Sequence, residues 1–336
     1  MRILEKVELE SYNTFRVKAK ARKILILEEE NDIFNIIEKD KFKATEALIL
    51  GEGSNILITR DIEETIIILE TKKIREIKKD KNFVYLEVDA GVAWDAFVRY
   101  AIENNYGGIE NLILIPGKVG AAPIQNIGAY GTEAKETIEF VETYSLSDGK
   151  KKIFSNIECM FDYRDSVFKK IKNFIITKIV FKLSLNPVPK LTYEPVRKAF
   201  DNCDVKKTSI KDVALKIEEI RKTKLPDWKE YGNAGSFFKN PTISFEKFME
   251  LKERFSDMPA FENSKGGIKI PAAYMIEKCG WKGKRIGNVR CYEKQPLVIV
   301  NCGNASGEEI LSFANLIAES VKETFNIELE KEVNII

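Results

Sequence analysis

IPGKVGAAPIQNIGAYG (residues 115–131) packs four glycines, three alanines and two prolines into seventeen residues, directly after an apolar run. A stretch so poor in bulky side chains cannot pack a core of its own. It can let a large flat ligand and a pyrophosphate lie against bare backbone, because glycine leaves no Cβ in the way. A rigid structural loop is the plainer alternative. The ligand reading leads, since long loops inside compact domains are usually functional.

Upstream, GEGSN (51–55) joins two short apolar runs, EALIL and ILI. Glycines at 51 and 53 allow a sharp turn, and successive N–H groups of such a turn can cradle a phosphate. Alone the pentapeptide is as good a hairpin as a ligand site. It is not a dinucleotide-binding fingerprint, because a strand rather than a helix follows.

The surrounding pattern is mixed. KILILE (23–28) and ETIIIL (64–69) are strand signals, and NDIFNIIEKD (31–40) a short helix. FVYLEVDAG (83–91), ETIEFVETYSL and KNFIITKIVFKLSLN are further strands. VAWDAFVRYAIENN (92–105) sets Trp94, Phe97, Val98, Ala101 and Ile102 on one helical face. LTYEPVRKAFDN (191–202) reads as an irregular insert before a helix over 209–224. Helices follow at 244–256, 272–280 and 306–327, the last opened by Ser306, and ELEKEVNII (328–336) reads as a final strand.

At 336 residues the chain is too long for one small core. We expect an α+β protein in three domains: 1–70 with 328–336 returning, 71–220, and 221–327. The 54 basic and 52 acidic residues leave a net charge of +2, not the basic stripe that grips nucleic acid. There is no histidine, so no Ser-His-Asp or Cys-His site exists. Five scattered cysteines (159, 203, 279, 291 and 302) without a CxxC pair point to reduced thiols and no zinc. The N-terminus lacks the apolar core of a signal peptide, and no run approaches a membrane helix. A cytoplasmic protein, without membrane or nucleic-acid partners, is expected.

Three further segments carry chemistry. FDYRDSVFK (161–169) places Arg164, a permanent cation suited to a carboxylate, beside Tyr163 and Asp165. Read alone, Arg164–Asp165 is a surface pair. GNAGSFFKNP (232–241) places Ser236 after three small residues and before two phenylalanines, where a helix cap is the plainer reading. LEKEV (329–333) sets Glu330 and Glu332 two apart on one face of a strand.

Taken together, SYNTFRV (11–17), GEGSN, loop 115–131, FDYRDSVF, GNAGSFFKNP and LEKEV resemble the UDP-N-acetylenolpyruvoylglucosamine reductase (MurB) family over nearly the whole chain. The resemblance implies a vanillyl-alcohol oxidase/PCMH-type FAD-binding fold with a C-terminal α/β substrate domain. It implies bound FAD against Gly51, Glu52, Gly53, Ser54, Asn55 and Ile56. The second FAD segment would be Pro116, Gly117, Gly120, Ala121, Gln125, Asn126, Gly128, Ala129, Tyr130 and Gly131. It implies NADPH as hydride donor and UDP-N-acetylglucosamine enolpyruvate as acceptor, giving UDP-N-acetylmuramate for peptidoglycan.

Carried over residue by residue, Arg164 stabilises the substrate carboxylate as charge develops. Ser236 protonates C2, and Glu332 assists at the same centre. Tyr163, Lys224, Asn240 and Gln295 match substrate contacts. Tyr193 matches the loop tyrosine of one of the two subtypes, near 190–200. The family form of the last motif is LEPEV; here Lys331 stands in place of the proline. A monomer without a metal is expected. The rivals are an oxidase on the same flavin fold and a non-catalytic nucleotide-binding protein.

Overall fold

The computed structural model describes residues 1–40, 46–201, 208–262 and 266–336. Cys203 and the end of the 191–202 segment lie outside them. Contacts divide the chain into two compact units. The first comprises Met1–Val7, Ala21–Glu52 and Ile62–Thr223; the second comprises Glu8–Lys20, Gly53–Asp61 and Lys224–Ile336. Residues 8–20 and 53–61 go with the C-terminal unit, and the two sheets of the N-terminal unit fall together.

The N-terminal unit holds two sheets. In the four-stranded sheet the order is Arg2–Glu8, Lys20–Leu27, Ile62–Leu69, Ala47–Leu50. Ile62–Leu69 is parallel to both of its neighbours, and helix Glu30–Asp40 makes the crossover. A strand covered on both faces reads as an unbroken apolar run, which accounts for the TIIIL stretch. Leu25, Leu27, Ile33, Ile36, Ile67 and Leu69 form its core.

The five-stranded sheet is antiparallel, ordered Lys151–Ser155, Ile138–Ser145, Phe174–Ser184, Phe83–Asp89, Ile74–Lys79. Its buried face packs on helix Trp94–Glu103 through Trp94, Phe97, Val98 and Ala101. Trp94 Nε1 donates to the Leu112 carbonyl at 2.9 Å, so the largest core residue keeps its polar atom paired. Lys178, only 11% exposed, pairs with Glu30 at 2.7 Å and joins the strand Phe174–Ser184 to the crossover helix.

The C-terminal unit is built on helix Gly307–Phe325. Ser306 Oγ accepts from Glu309 N at 3.2 Å and Glu309 Oε2 accepts from Ser306 N at 2.7 Å, a reciprocal capping box. Gly307 is required there: a Cβ would sit 1.9 Å from the Ile58 carbonyl oxygen. Ile310, Phe313, Ala314, Ile317 and Val321 pack on Phe237, Met275, Ile276 and Ile299. The sheet beneath consists of Arg285–Ile286, Val289–Cys291 and Ile299–Asn301.

Two sequence expectations change. Residues within 191–202 are not wholly irregular: Glu194–Ala199 is a helix with proline in its first turn, where its fixed φ is favourable. Six residues are too few to show a helical period. The final strand shrinks to Asn334–Ile335, parallel to Ile56–Leu57, because that partner is itself two residues long. Lys331 keeps one isolated bridge to Phe238. No helix among the described residues is long and apolar enough to cross a membrane.

Candidate active site

Loop 115–131 is zipped along the end of the five-stranded sheet. Trp94 N donates to Gly117 O at 2.9 Å, Val119 N to Val92 O at 2.8 Å, and Gly120 N to Ala90 O at 2.9 Å. A Cβ on Gly120 would meet the Ala90 Cβ at 2.7 Å, so only glycine lets the loop lie this close. The result is an open cleft. Its walls are Ile49, Leu50 and Leu69 from the parallel sheet and Phe174 and Ile176 from the antiparallel one. Gly51, Gly120 and Ala121 contribute bare or nearly bare backbone, and Ile124, Phe168 and Ile171 close the far side.

One charge stands in that apolar lining. Lys118 has its Nζ 3.8 Å from Glu52, and its stem lies over Gly51. Glu52 also accepts from Gly117 N at 2.8 Å, which fixes the start of the loop. A slot of branched aliphatic and phenyl side chains, floored by glycine and mouthed by a lysine, fits a flat heteroaromatic ring system joined to a diphosphate. Sequence reading passed over Lys118, though it is the only charged residue in the seventeen-residue loop.

The arginine turn is clamped to this loop. Asp162 and Asp165 bridge across Tyr163 and Arg164, and Arg164 has φ 52°. Ser166 Oγ donates to Ile124 O at 2.7 Å, and Asn126 Nδ2 donates to Asp162 O at 3.0 Å. Arg164 Nη2 then donates to Gly128 O at 2.5 Å, and its guanidinium lies 5.3 Å from the Tyr163 ring centre. A Cβ at Gly128 would come within 3.0 Å of Arg164 Nη1. Asn126 is fully buried and its amide also binds Glu133 Oε2 and Lys135 N, each at 3.0 Å. That side chain frames the loop.

Tyr130 and Tyr193 meet edge to face, ring centres 5.4 Å apart. Asn111 Nδ2 donates to Tyr130 O at 2.9 Å and Lys190 O at 3.0 Å, tying loop 115–131 to the start of the tyrosine segment. Burial lifts the Tyr130 phenol, and Arg221 opposes that rise by charge and hydrogen bonding. Gly131 faces Thr192 Oγ1, 3.0 Å from where a Cβ would be. Gln125, Ala129 and Pro116 belong to the same loop, with Pro116 exposed.

The C-terminal unit gathers the other residues. Gly53, at φ 65°, abuts Tyr12: a Cβ would lie 2.2 Å from the Tyr12 carbonyl oxygen. Thr14 N donates to Gly53 O at 3.1 Å, and Asn13 is spent on Leu9 and Val17. Ser54, Asn55 and Ile56 lead on into Ile56–Leu57. Asn55 Nδ2 donates to Glu332 O at 3.2 Å, and Asn334 N donates to Asn55 O at 3.1 Å.

The segment around Ser236 runs between two others. Phe237 N donates to Leu297 O and Glu332 N donates to Phe237 O, both at 2.8 Å. Ser236 bridges Val298, and Val298 N donates to Gln295 O at 2.9 Å. Ser236, Gln295, Glu332 and Asn55 are therefore brought into one hydrogen-bonded array. Glu330 leaves it: its carboxylate pairs with Lys239 at 2.5 Å and its side chain is 71% exposed. Asn240 Oδ1 accepts from Ala272 N at 2.9 Å, the start of helix Ala272–Lys278. Lys224 is exposed at the end of helix Ile210–Lys224.

Comparison with known proteins identifies this arrangement. The C-terminal domain model of UDP-N-acetylenolpyruvoylglucosamine reductase matches residues 227–336, and an FAD binding domain model matches 21–153. The reductase of Flavobacterium johnsoniae is 41% identical over 339 residues, covering 100% of both chains. The chain belongs to the UDP-N-acetylenolpyruvoylglucosamine reductase family. The Pseudomonas aeruginosa reductase is 37% identical, covering 100% of this chain and 99% of its own. The crystal structure of the reductase from Thermus caldophilus superposes with a TM-score of 0.70 at 24% identity, covering 100% of this chain and 99% of that one, which establishes the shared fold. The α+β flavoprotein architecture expected from sequence is that of this family.

Proposed function

We propose that this protein reduces UDP-N-acetylglucosamine enolpyruvate to UDP-N-acetylmuramate through bound FAD, with NADPH as hydride donor, in the supply of peptidoglycan precursor. The observation that carries the reading is the clamped pair formed by loop 115–131 and the Arg164 turn. One loop offers a diphosphate-and-ring slot on one side and fixes a permanent cation on the other.

FAD would be held by Gly51, Glu52, Gly53, Ser54, Asn55 and Ile56 and by Pro116, Gly117, Gly120, Ala121, Gln125, Gly128, Ala129, Tyr130 and Gly131. Lys118 joins them as the diphosphate partner, and Asn126 acts through the loop it frames. When bound, FAD supplies hydride transfer from the nicotinamide to the enolpyruvyl double bond.

The chain supplies the rest. Arg164 meets the negative charge that develops on the substrate carboxylate, and a fixed cation lowers that barrier without reorganising. Its hydrogen bond to Gly128 sets the guanidinium in place beforehand. Glu332, fixed through its backbone to Phe237 and Asn55, steadies the same centre. Ser236 gives its hydroxyl proton to C2. With no histidine in the chain, serine beside a strongly basic carbanion is a sufficient acid. Tyr163, Lys224, Asn240 and Gln295 bind the UDP-sugar, and Tyr193 covers it.

We further propose a cytoplasmic monomer with no nucleic-acid or membrane partner. Its domains would be 1–70 with 328–336, 71–220, and 221–327. The test is an anaerobic visible spectrum. Flavin bands that bleach with NADPH and return with UDP-N-acetylglucosamine enolpyruvate are expected. Bleaching without return would remove the substrate, and no flavin after reconstitution with FAD would overturn the reading.

A further inference from the structure

The sheet of the C-terminal unit has two faces with different fates. Val289, Cys291 and Ile299 point into the main core. The opposite face carries Tyr292, Val298 and Val300, a small separate cluster to which Leu225 and Cys302 pack. Register places Arg290 opposite Val300, and Ser236 opposite Val298. Tyr292 N donates to Val298 O at 2.9 Å, which puts Tyr292 in the same row. Residues directly across antiparallel strands share a face, and so do residues two apart. Arg290 and Ser236 therefore stand on one face.

Arg290 is prepared for something the fold itself does not provide. Its guanidinium lies 5.3 Å from the Tyr231 ring centre and 6.0 Å from that of Tyr292. A guanidinium within about 6 Å of a ring centre is attracted to the ring, and its N–H groups can still donate to an acceptor. One edge meets Glu293 at 3.4 Å, a pair whose carboxylate side chain is 47% exposed. The Nε is buried and hydrogen-bonds to no protein group. A desolvated donor left without an acceptor calls for an explanation. Chain neighbours point to the same ligand region: Lys224 precedes Leu225 of this cluster, and Gln295 closes the turn onto Val298.

We propose that Arg290, beside Tyr231 and Tyr292, is a phosphate-binding residue of the nucleotide site on the Ser236 face. The inference rests on the reductase reading. Two ligands of that reaction carry the required chemistry: the diphosphate of the UDP-sugar and the phosphates of the nicotinamide dinucleotide. A guanidinium matches either by paired N–H···O bonds, which a lysine ammonium cannot reproduce.

The test uses the FAD-loaded protein and its Arg290→Gln and Arg290→Lys variants. Dissociation constants for UDP, NADP⁺ and NAD⁺ are measured by calorimetry at two salt concentrations, alongside flavin content and Tm. We expect Arg290→Gln to weaken at least one ligand by about tenfold or more and to flatten its salt dependence. Arg290→Lys should recover only part. Loss confined to UDP assigns the substrate diphosphate. Loss for NADP⁺ alone assigns the ribose phosphate, and loss for both dinucleotides assigns their pyrophosphate. Unchanged constants for all three ligands in a variant that retains flavin and Tm overturn the proposal. If Arg290→Gln does not fold, full affinity in Arg290→Lys overturns it equally. Failure of the unaltered protein to bind either UDP or NADP⁺ would instead sink the reductase reading, and this proposal with it.

Discussion

Arg164 Nη2 donates to the carbonyl of Gly128 at 2.5 Å, so the cation assigned to the substrate is anchored on the loop assigned to the cofactor. The anchor has two consequences for substitution. Arg164→Ala removes the cation and also frees the Gly128 carbonyl. Return of flavin absorbance on adding substrate to the NADPH-reduced enzyme should slow by roughly a hundredfold to a thousandfold, the scale of losing one preorganised charge-stabilising donor. Arg164→Lys keeps the charge but not the paired donors, and should restore only part of the rate. Stopped-flow absorbance reads both. Reoxidation at the normal rate in Arg164→Ala would remove this residue from the mechanism.

Ser236→Ala separates the two half-reactions. Loss of a positioned acid costs roughly a hundredfold to ten-thousandfold. That loss should fall on reoxidation by substrate, with reduction by NADPH close to normal. The backbone bonds of Phe237 to Leu297 and Glu332 do not involve the side chain at 236, so folding should be kept. Equal slowing of both half-reactions would show that Ser236 shapes the site without donating the proton.

How much of this was legible in the sequence differs from residue to residue. Loop 115–131 was legible because composition alone forbids a core there. The buried strand 64–69 and the helix face of Trp94, Phe97, Val98 and Ala101 were legible because their periods are long enough to count. Helix Glu194–Ala199 was too short for that. Spacing alone left Glu330 and Glu332 equivalent, and only the resemblance singled out Glu332. Only Lys239, 91 positions away in sequence, draws Glu330 out to an exposed pair. Lys118 was passed over, since its significance comes from a cleft wall supplied by residues 49–51. Arg290 carried no local signal, because its two tyrosines meet it through sheet register and a distant turn.

Lys118→Ala tests the cofactor cleft. With the only charge in the loop removed, affinity for FAD should fall by about tenfold, the scale of a charge-assisted contact to phosphate. Affinity for riboflavin, which has the ring but no phosphate, should stay near normal. Fluorescence titration of the apoprotein with each ligand measures the contrast. Parallel losses for FAD and riboflavin would mean that Lys118 supports the cleft through its packing over Gly51 and its pairing with Glu52.

Glu110 gives a prediction in pH. It is 3% exposed, beneath the loop, and accepts from Gly108 N at 2.7 Å. Burial pushes its carboxyl above the ordinary value of 4.5, and backbone N–H groups of Gly108, Glu110 and Ile109 oppose that only in part. A carboxyl raised in the folded state favours folding while protonated. That contribution is complete below 4.5 and is lost as pH rises through the raised folded value. Glu110→Gln keeps an acceptor for the Gly108 N–H and does not titrate. The Tm of the variant minus that of the unaltered protein should therefore increase from about pH 4 to about pH 7. Thermal melts at fixed ionic strength measure it. A difference that is flat or falls with pH would mean that the backbone N–H groups outweigh desolvation and that Glu110 is charged in the fold.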